Sequence, residues 1–373
     1  MEKGKEVVTH VIHTFYPVIG GIEKVIYETA KRQSKKYSVY VVTSDKNKGK
    51  VENEKFIVRE LKSIRLFNMP DLTLPLGYDE VLDHSDILHF HSQNSLFSVS
   101  LLRKAVKSKA KKVFTLMSVD SLKDHPNLLI RLFSPLYSKY TMDVVLSLSD
   151  VLIVKNERDR KILRENYYKD AFLVPDGIDD IYFTQPKDEK FKDEKMNGED
   201  YVLYVGRLHK LKGVDVLIKA SRFLDIKVVF IGPGDLEYYR RLAKKEGVSN
   251  KCIFLGYVEE KEKISAIDGS SAVIIPSISH YVEAFSLVLS EAWSRGKPVV
   301  ASRVGSLTYR IKDGINGILV KPNDPKDLAE GVKKILGNKE LAKKISYEGR
   351  KEVTSWDEVI SLLDGIYNNL KNG

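Results

Sequence analysis

What this 373-residue sequence lacks narrows its reading at once. It holds one cysteine, Cys252. A lone thiol excludes an intramolecular disulfide framework and a cysteine-built structural zinc site. Cys252 opens the run Cys252-Ile253-Phe254-Leu255 and reads as a small buried hydrophobe. Glutamine occurs only as Gln33, Gln93 and Gln185, while Lys and Glu abound, a bias that leans towards a thermophile. No stretch approaches the ~20 apolar residues of a membrane-spanning helix. The segment Met1 to His10 is charged and leads into a strand-like run, not a secretory leader, so a cytoplasmic protein is expected. There is no Gly-x-x-x-x-Gly-Lys-Ser/Thr and no Gly-x-Ser-x-Gly, which argues against a P-loop NTPase and an α/β-hydrolase. Short repeats and low-complexity tracts are also missing.

What is present fits a soluble globular chain of about two domains, with 43% hydrophobic and 30% charged residues. The formal net charge of +10 attracts anions without choosing among phosphorylated substrates, anionic lipid and nucleic acid. Strand-length apolar runs alternate with amphipathic helical patterns. Strands are expected at 7–14, 38–43, 87–91, 112–116 and 151–154, with helices at 22–34 and 96–107. Asn156 reads as the N-cap of a helix ending near Asn166. The charged stretch from Asp176 to Gly198 breaks the pattern and reads as a linker. A second series then places strands at 201–205, 227–231, 252–255, 272–276, 298–301 and 317–320. Helices follow Gly213, Asp235, Phe285 and Pro325. The fold class expected is α/β, with two doubly wound, Rossmann-like domains facing across a cleft. The domains are residues 1–180 and 181–354, and a final helix, 355–373, returns to the first.

Chemistry concentrates where strands give way to helices. After the strand 272–276 comes Glu283, then a helix expected to start near Phe285, with Glu291 two turns on. Uncapped amides at such a start attract phosphate or polar sugar. The competing reading is two surface glutamates on an amphipathic helix. The loop Gly206-Arg207-Leu208-His209-Lys210-Leu211-Lys212-Gly213 offers a guanidinium fork and an ammonium suited to a diphosphate, or is simply a solvated basic loop. Gly232-Pro233-Gly234-Asp235 is first of all a turn. Pro17-Val18-Ile19-Gly20-Gly21 has the same strand-to-helix placement. His89 and His91 share one face of a strand, with Phe90 on the other. No third ligand stands at a clear spacing, so no metal site is assigned.

Together these segments resemble glycosyltransferase family 4, retaining enzymes of the GT-B fold. The likeness spans nearly the whole chain. It rests on the Glu283-x7-Glu291 pair, the Pro-x-x-Gly-Gly loop, Val205-Gly-Arg-Leu with Lys212-Gly213, Phe254-Leu-Gly-Tyr-Val, Gly296-Lys-Pro-Val-Val-Ala-Ser and the final Ser-Trp helix. The chain also lacks the Asp-x-Asp metal anchor of the other large glycosyltransferase architecture. The resemblance implies that Arg207 and Lys212 bind the donor diphosphate and stabilise charge on the leaving group without a metal. Glu283 would hold the transferred sugar with the amides of Phe285, Ser286 and Leu287. Glu291 would bind ribose. Gly256, Tyr257 and Val258 would line the base pocket, Gly20, Gly21, Gly232 and Gly234 would approach the donor, and His91 would stand near the reacting sugar. Three departures stand out: Ser286 for Gly, implying a tighter sugar pocket; Met117 for a common histidine; and Asp176 for Asn, read as a tolerated turn change. His280 and Tyr281 are expected to shape donor choice.

The reading is therefore a retaining transferase that uses a nucleotide-diphosphate sugar, UDP- or GDP-linked, and no cofactor. Its acceptor is a glycan, lipid or small-molecule hydroxyl. Alternatives are an epimerase of the same fold and an inactive nucleotide- or carbohydrate-binding protein. No basic patch interleaves with aromatics, so nucleic acid is not an expected partner. Leu128, Leu129, Leu132, Phe133, Leu136 and Tyr137 form an apolar stripe near Arg131 and Lys139. A basic run lies at Arg103, Lys104, Lys107, Lys109, Lys111 and Lys112. The stripe is expected to face the core and the lysines to face solvent, with peripheral contact to an anionic membrane as the alternative.

Overall fold

A computed structural model describes residues 4–18, 20–47, 55–125, 127–280 and 283–372. The chain forms two compact units, Met1–Gly177 with Trp356–Gly373, and Ile178–Ser355.

In the first unit the strands are β1 (Val7–Val11), β2 (Ser38–Ser44), β3 (Ile57–Leu61), β4 (Ser63–Arg65), β5 (Thr73–Pro75), β6 (Ile87–His91), β7 (Lys111–Thr115), β8 (Val151–Val154) and β9 (Phe172–Leu173). Seven of them make a sheet in the order β3-β2-β1-β6-β7-β8-β9, and every neighbouring pair is parallel. β4 and β5 pair antiparallel as a separate hairpin. Alternate residues of the central strands feed two apolar layers. Val11, Phe90, Phe114 and Val154 face one. Val8, Val41, Ile87 and Ile153 face the other, where Val25 and Ile26 of the helix Gly21–Gln33 and Trp356, Leu363 and Tyr367 of the C-terminal helix Trp356–Asn372 cover them. Burial on both faces explains why these strands read as near-continuous apolar runs.

The second unit holds β10 (Tyr201–Val205), β11 (Lys227–Ile231), β12 (Cys252–Gly256), β13 (Ala272–Ile275), β14 (Val299–Ser302) and β15 (Ile318–Val320). They form a parallel sheet in the order β12-β11-β10-β13-β14-β15. Helices 214–220 and 325–336 close one face and helices 260–269 and 287–294 the other. Cys252 is buried there, and burial pushes its thiol up to about 11.

Two expectations are corrected. Residues 181–196 are not a linker: they form the helices Ile181–Thr184 and Lys190–Met196, whose Tyr182, Phe191 and Met196 enter the second core. Their charges hid a sparse apolar pattern. The Leu128 stripe does not face the core. On the helix Leu128–Leu148, Leu128, Leu129, Leu132, Phe133 and Leu136 are all exposed, Leu136 at 76%. The basic run does face solvent at Arg103, Lys104, Lys107 and Lys109, with Lys111 and Lys112 half-buried; Arg103 donates to the Tyr140 hydroxyl at 2.8 Å, and the Lys104 ammonium donates to the Gly77 carbonyl at 2.8 Å.

Candidate functional site

In the second sheet the strand order reverses between β10 and β13. Ligands of open α/β sheets bind beyond the carboxyl ends at such a reversal. The loops that leave these two strands are 206–213 and 276–286. They are knit together: Ile278 N–H donates to the Leu211 carbonyl at 3.0 Å. Gly213, at φ +73°, lies so close that a Cβ there would sit 1.8 Å from the Pro276 carbonyl oxygen.

Glu283 is 2% exposed, not a surface residue. Its Oε1 accepts from Lys212 Nζ at 2.7 Å and from Ser277 Oγ at 2.5 Å. Its carbonyl accepts from Ser306 N–H at 2.8 Å. Its Oε2 is buried and has no hydrogen-bond partner among the described residues. A buried carboxylate oxygen left open in this way is costly unless a ligand donor fills it.

The helix begins at Leu287, two residues later than expected, so Glu283 lies in the loop that leads into it and Glu291 within the helix. Ser286 caps the helix at φ +64°, ψ +81°, without a side-chain hydrogen bond to the first turn. Left-handed backbone favours glycine, so the departure at Ser286 bears on backbone strain as well as on pocket size. Arg310 braces this turn. It donates to the carbonyls of Phe285 at 2.5 Å and Ser286 at 3.1 Å and to Ser290 Oγ at 2.7 Å, and it lies 3.8 Å over the Phe285 ring. Nothing in the local sequence around Arg310 signals that role.

Glu291 is also buried, with Oε1 3.3 Å from Lys263 Nζ and Oε2 without a partner among the described residues. Lys263 also pairs with Glu260 at 3.0 Å, and Glu260 accepts from the Tyr182 hydroxyl at 2.7 Å. Burial raises the Tyr182 hydroxyl well above its ordinary value. Arg207 is exposed on its loop, where the Tyr204 hydroxyl holds its carbonyl at 2.7 Å. Gly232 and Gly234 have a packing reason: Cβ atoms there would sit 2.0 Å from the Gly206 carbonyl oxygen and 2.6 Å from Leu208. Gly256 accepts from Gly232 N–H at 2.7 Å, Tyr257 is exposed and Val258 packs on the core. His280 Nδ1 accepts from Gly305 N–H at 3.0 Å, while Tyr281 lies outside the described residues.

The first sheet reverses between β1 and β6. His91 ends β6 and stacks on His89 with ring centroids 4.3 Å apart. The third histidine that sequence spacing did not reveal comes from β1. His10 Nδ1 lies 3.0 Å from His91 Nε2, and the three rings offer nitrogens within 4.8 Å of one another. Thr9 and His10, two adjacent polar residues in a buried central strand, were the available signal. The cluster fits a metal poorly, because both His89 nitrogens are already 2.6 Å from hydroxyls, those of Tyr367 and Thr115. Burial lowers His10 to about 4 and holds His89 and His91 well below the usual histidine range.

Beyond His91, Ser92, Ser118 and Asp120 all take positive φ. Such strain clusters at functional loops. Gln93 clamps the backbone of Met117, accepting from its N–H and donating to its carbonyl, both at 2.8 Å. Gly20 packs on a carboxylate: a Cβ there would lie 2.2 Å from Glu23 Oε2. Asp176 is more than a turn variant, since it is buried and pairs with buried Lys155 at 2.9 Å.

Two family models match. Residues 19–181 fit the model described as Glycosyltransferase Family 4, and residues 186–352 fit Glycosyl transferases group 1. The chain belongs to glycosyltransferase family 4. This family 4 enzyme is 25% identical to the O-antigen chain mannosyltransferase C of Escherichia coli, over 97% of this chain and 98% of that one. It is 28% identical to a D-inositol 3-phosphate glycosyltransferase of Corynebacterium aurimucosum over 59% of this chain and 56% of that one. Its fold is GT-B. The sucrose-phosphate synthase of Thermosynechococcus elongatus superposes with a TM-score of 0.78 at 18% identity, covering 99% of this chain and all of that one. The Anabaena protein HepE, solved in complex with UDP, gives 0.81 at 17% identity over 99% of this chain and 100% of that one.

Proposed function

We propose that this glycosyltransferase moves a sugar from a nucleotide-diphosphate sugar to an acceptor hydroxyl with retention of configuration, using neither metal nor cofactor. The observation that carries the reading is the pair of buried carboxylates, Glu283 and Glu291, each with one oxygen held by a lysine and the other open. Carboxylate oxygens accept from hydroxyls, so this pair suits the sugar and the ribose. Lys212 and Arg207 supply positive charge for the departing diphosphate, the electrostatic help such a step needs. Gly256 to Val258 serve the base. Gly20 is assigned no phosphate contact, because the Glu23 carboxylate beside it would repel one.

The test is a screen of UDP- and GDP-sugars with glycan, lipid-linked and small hydroxyl acceptors, with and without chelator. The expected result is chelator-insensitive transfer whose product keeps the donor's anomeric configuration by NMR. An epimerised nucleotide sugar formed without transfer, or an inverted product, would overturn the reading.

The exposed helix face favours a lipid-linked acceptor reached from an anionic membrane surface, at the inner face in a cytoplasmic enzyme. Phe133 and Leu136 stand out with Arg131 and Lys139 among them, and Phe67 beyond β4 is 87% exposed. Among the described residues no helix is long and apolar enough to cross a membrane, so the contact assigned is peripheral. Sedimentation with vesicles containing phosphatidylglycerol should retain the wild type and lose Leu132→Ser/Phe133→Ser/Leu136→Ser by about tenfold. Equal retention of both, or of neither, contradicts the membrane assignment.

A further inference from the structure

The buried histidine cluster carries more than proximity. Gln33, the last residue of the helix Gly21–Gln33, directs its Oε1 at His10 Nε2 at 2.8 Å. An amide oxygen only accepts, so His10 Nε2 carries the hydrogen. Burial keeps His10 neutral, so its Nδ1 must be the bare nitrogen. That nitrogen lies 3.0 Å from His91 Nε2. His91 must then donate from Nε2, and its Nδ1 is left with a lone pair. Among the described residues His91 Nδ1 is buried and has no partner.

We propose that Gln33 and His10 are positioning residues that lock His91 as the Nε2–H tautomer, so that His91 Nδ1 accepts a hydrogen bond from a hydroxyl of the sugar substrate. The inference rests on the transferase reading for the identity of that hydroxyl, but the tautomer itself does not. A phosphate oxygen could not fill the position, since it would face a lone pair with a lone pair. The cluster excludes water on the side covered by the helix Gly21–Gln33 and the C-terminal helix, where Tyr367 holds His89 at 2.6 Å. His91 therefore stays in one tautomer and meets substrate as an acceptor, not as an imidazolium. Its neutral state has a second cause besides burial: protonation would place charge beside His89, His10 and Lys155. Rotating the Gln33 amide by half a turn would reverse every donor in the chain and make Nδ1 a donor.

Long-range proton–nitrogen NMR on 15N-histidine protein decides between the two, with His91 assigned by comparison with His91→Asn. The expected spectrum shows His91 with a bare Nδ1 and a protonated Nε2. Gln33→Met, of similar volume but unable to accept, should yield a tautomer mixture and lower kcat about tenfold, the worth of one misplaced hydrogen bond. Gln33→Glu keeps an accepting oxygen and should keep the tautomer. A protonated Nδ1 in the wild type, or an unchanged tautomer in Gln33→Met, overturns the proposal. If the spectra come out as expected and no sugar is transferred, the relay stands and the transferase reading falls.

Discussion

Asp176 shows how a single residue's role depends on a partner that the sequence does not indicate. In sequence it is a turn residue in Pro175-Asp176-Gly177. In the fold it neutralises Lys155, and both side chains are 8% exposed. A buried ion pair adds little net stability, but removing one partner strands the other charge. Asp176→Ala should therefore cost about 3 to 5 kcal/mol in urea unfolding. A loss below about 1 kcal/mol, the range of exposed pairs, would show that Lys155 is hydrated in solution. Glu283, Glu291 and the Arg207–Lys212 loop were legible as candidates because they sit where strands of the second series give way to helices, and the fold brings Glu283 and Lys212 together. Arg310, Gln33 and His10 were not, because each reaches its partner from a distant segment and no spacing rule connects them. Ser286 was visible as a departure, but the left-handed backbone it adopts shows only in the fold.

At the scale of elements, the central parallel strands were readable to about a residue at each end, since burial on both faces writes an unbroken apolar run, except that β1 stops at Val11 and not at Thr14. β3 escaped because an edge strand carries charge: Arg59 and Glu60 lie within it and are exposed. β4, β5 and β9 are too short to show a period. What the elements do for the site is clearest at Gly213, where the loop after β10 touches the loop after β13. A methyl group there meets the Pro276 carbonyl, and the backbone conformation is one that alanine resists. Gly213→Ala should separate the two loops, weaken the Lys212–Glu283 pairing and lower donor affinity by at least tenfold, with about 1 to 3 kcal/mol lost in stability. Isothermal titration with the donor identified in the screen, alongside thermal unfolding, measures both. Wild-type affinity in the variant would mean that the loop contact does not shape the donor site.

At the scale of the whole molecule, the chain buries four histidines, His10, His13, His89 and His91. All four are lowered by burial, His10 to about 4 and His13 to about 3, from an ordinary 6.5. As pH falls through 6.5 the unfolded chain takes up protons that the folded chain refuses, so stability is lost down towards the folded values. For His10 alone that amounts to roughly 3 kcal/mol between pH 6.5 and about 4. Asp71 and Asp159, both raised by burial to about 6, act in the opposite sense between 6 and 3.8 and offset part of the loss. Four groups against two leaves a net loss, so Tm should fall steadily on acidification from pH 6.5 to 4. A flat Tm over that range would mean that the histidines are hydrated in the native state.

The proposed donor site stands or falls with Glu283. Turnover of the best nucleotide-diphosphate sugar should be measured side by side for the wild type and a folded Glu283→Ala protein. The wild type should transfer sugar and release nucleoside diphosphate, and the variant should be slower by about 10²- to 10³-fold. Undiminished transfer by Glu283→Ala would mean that this carboxylate does not hold the sugar.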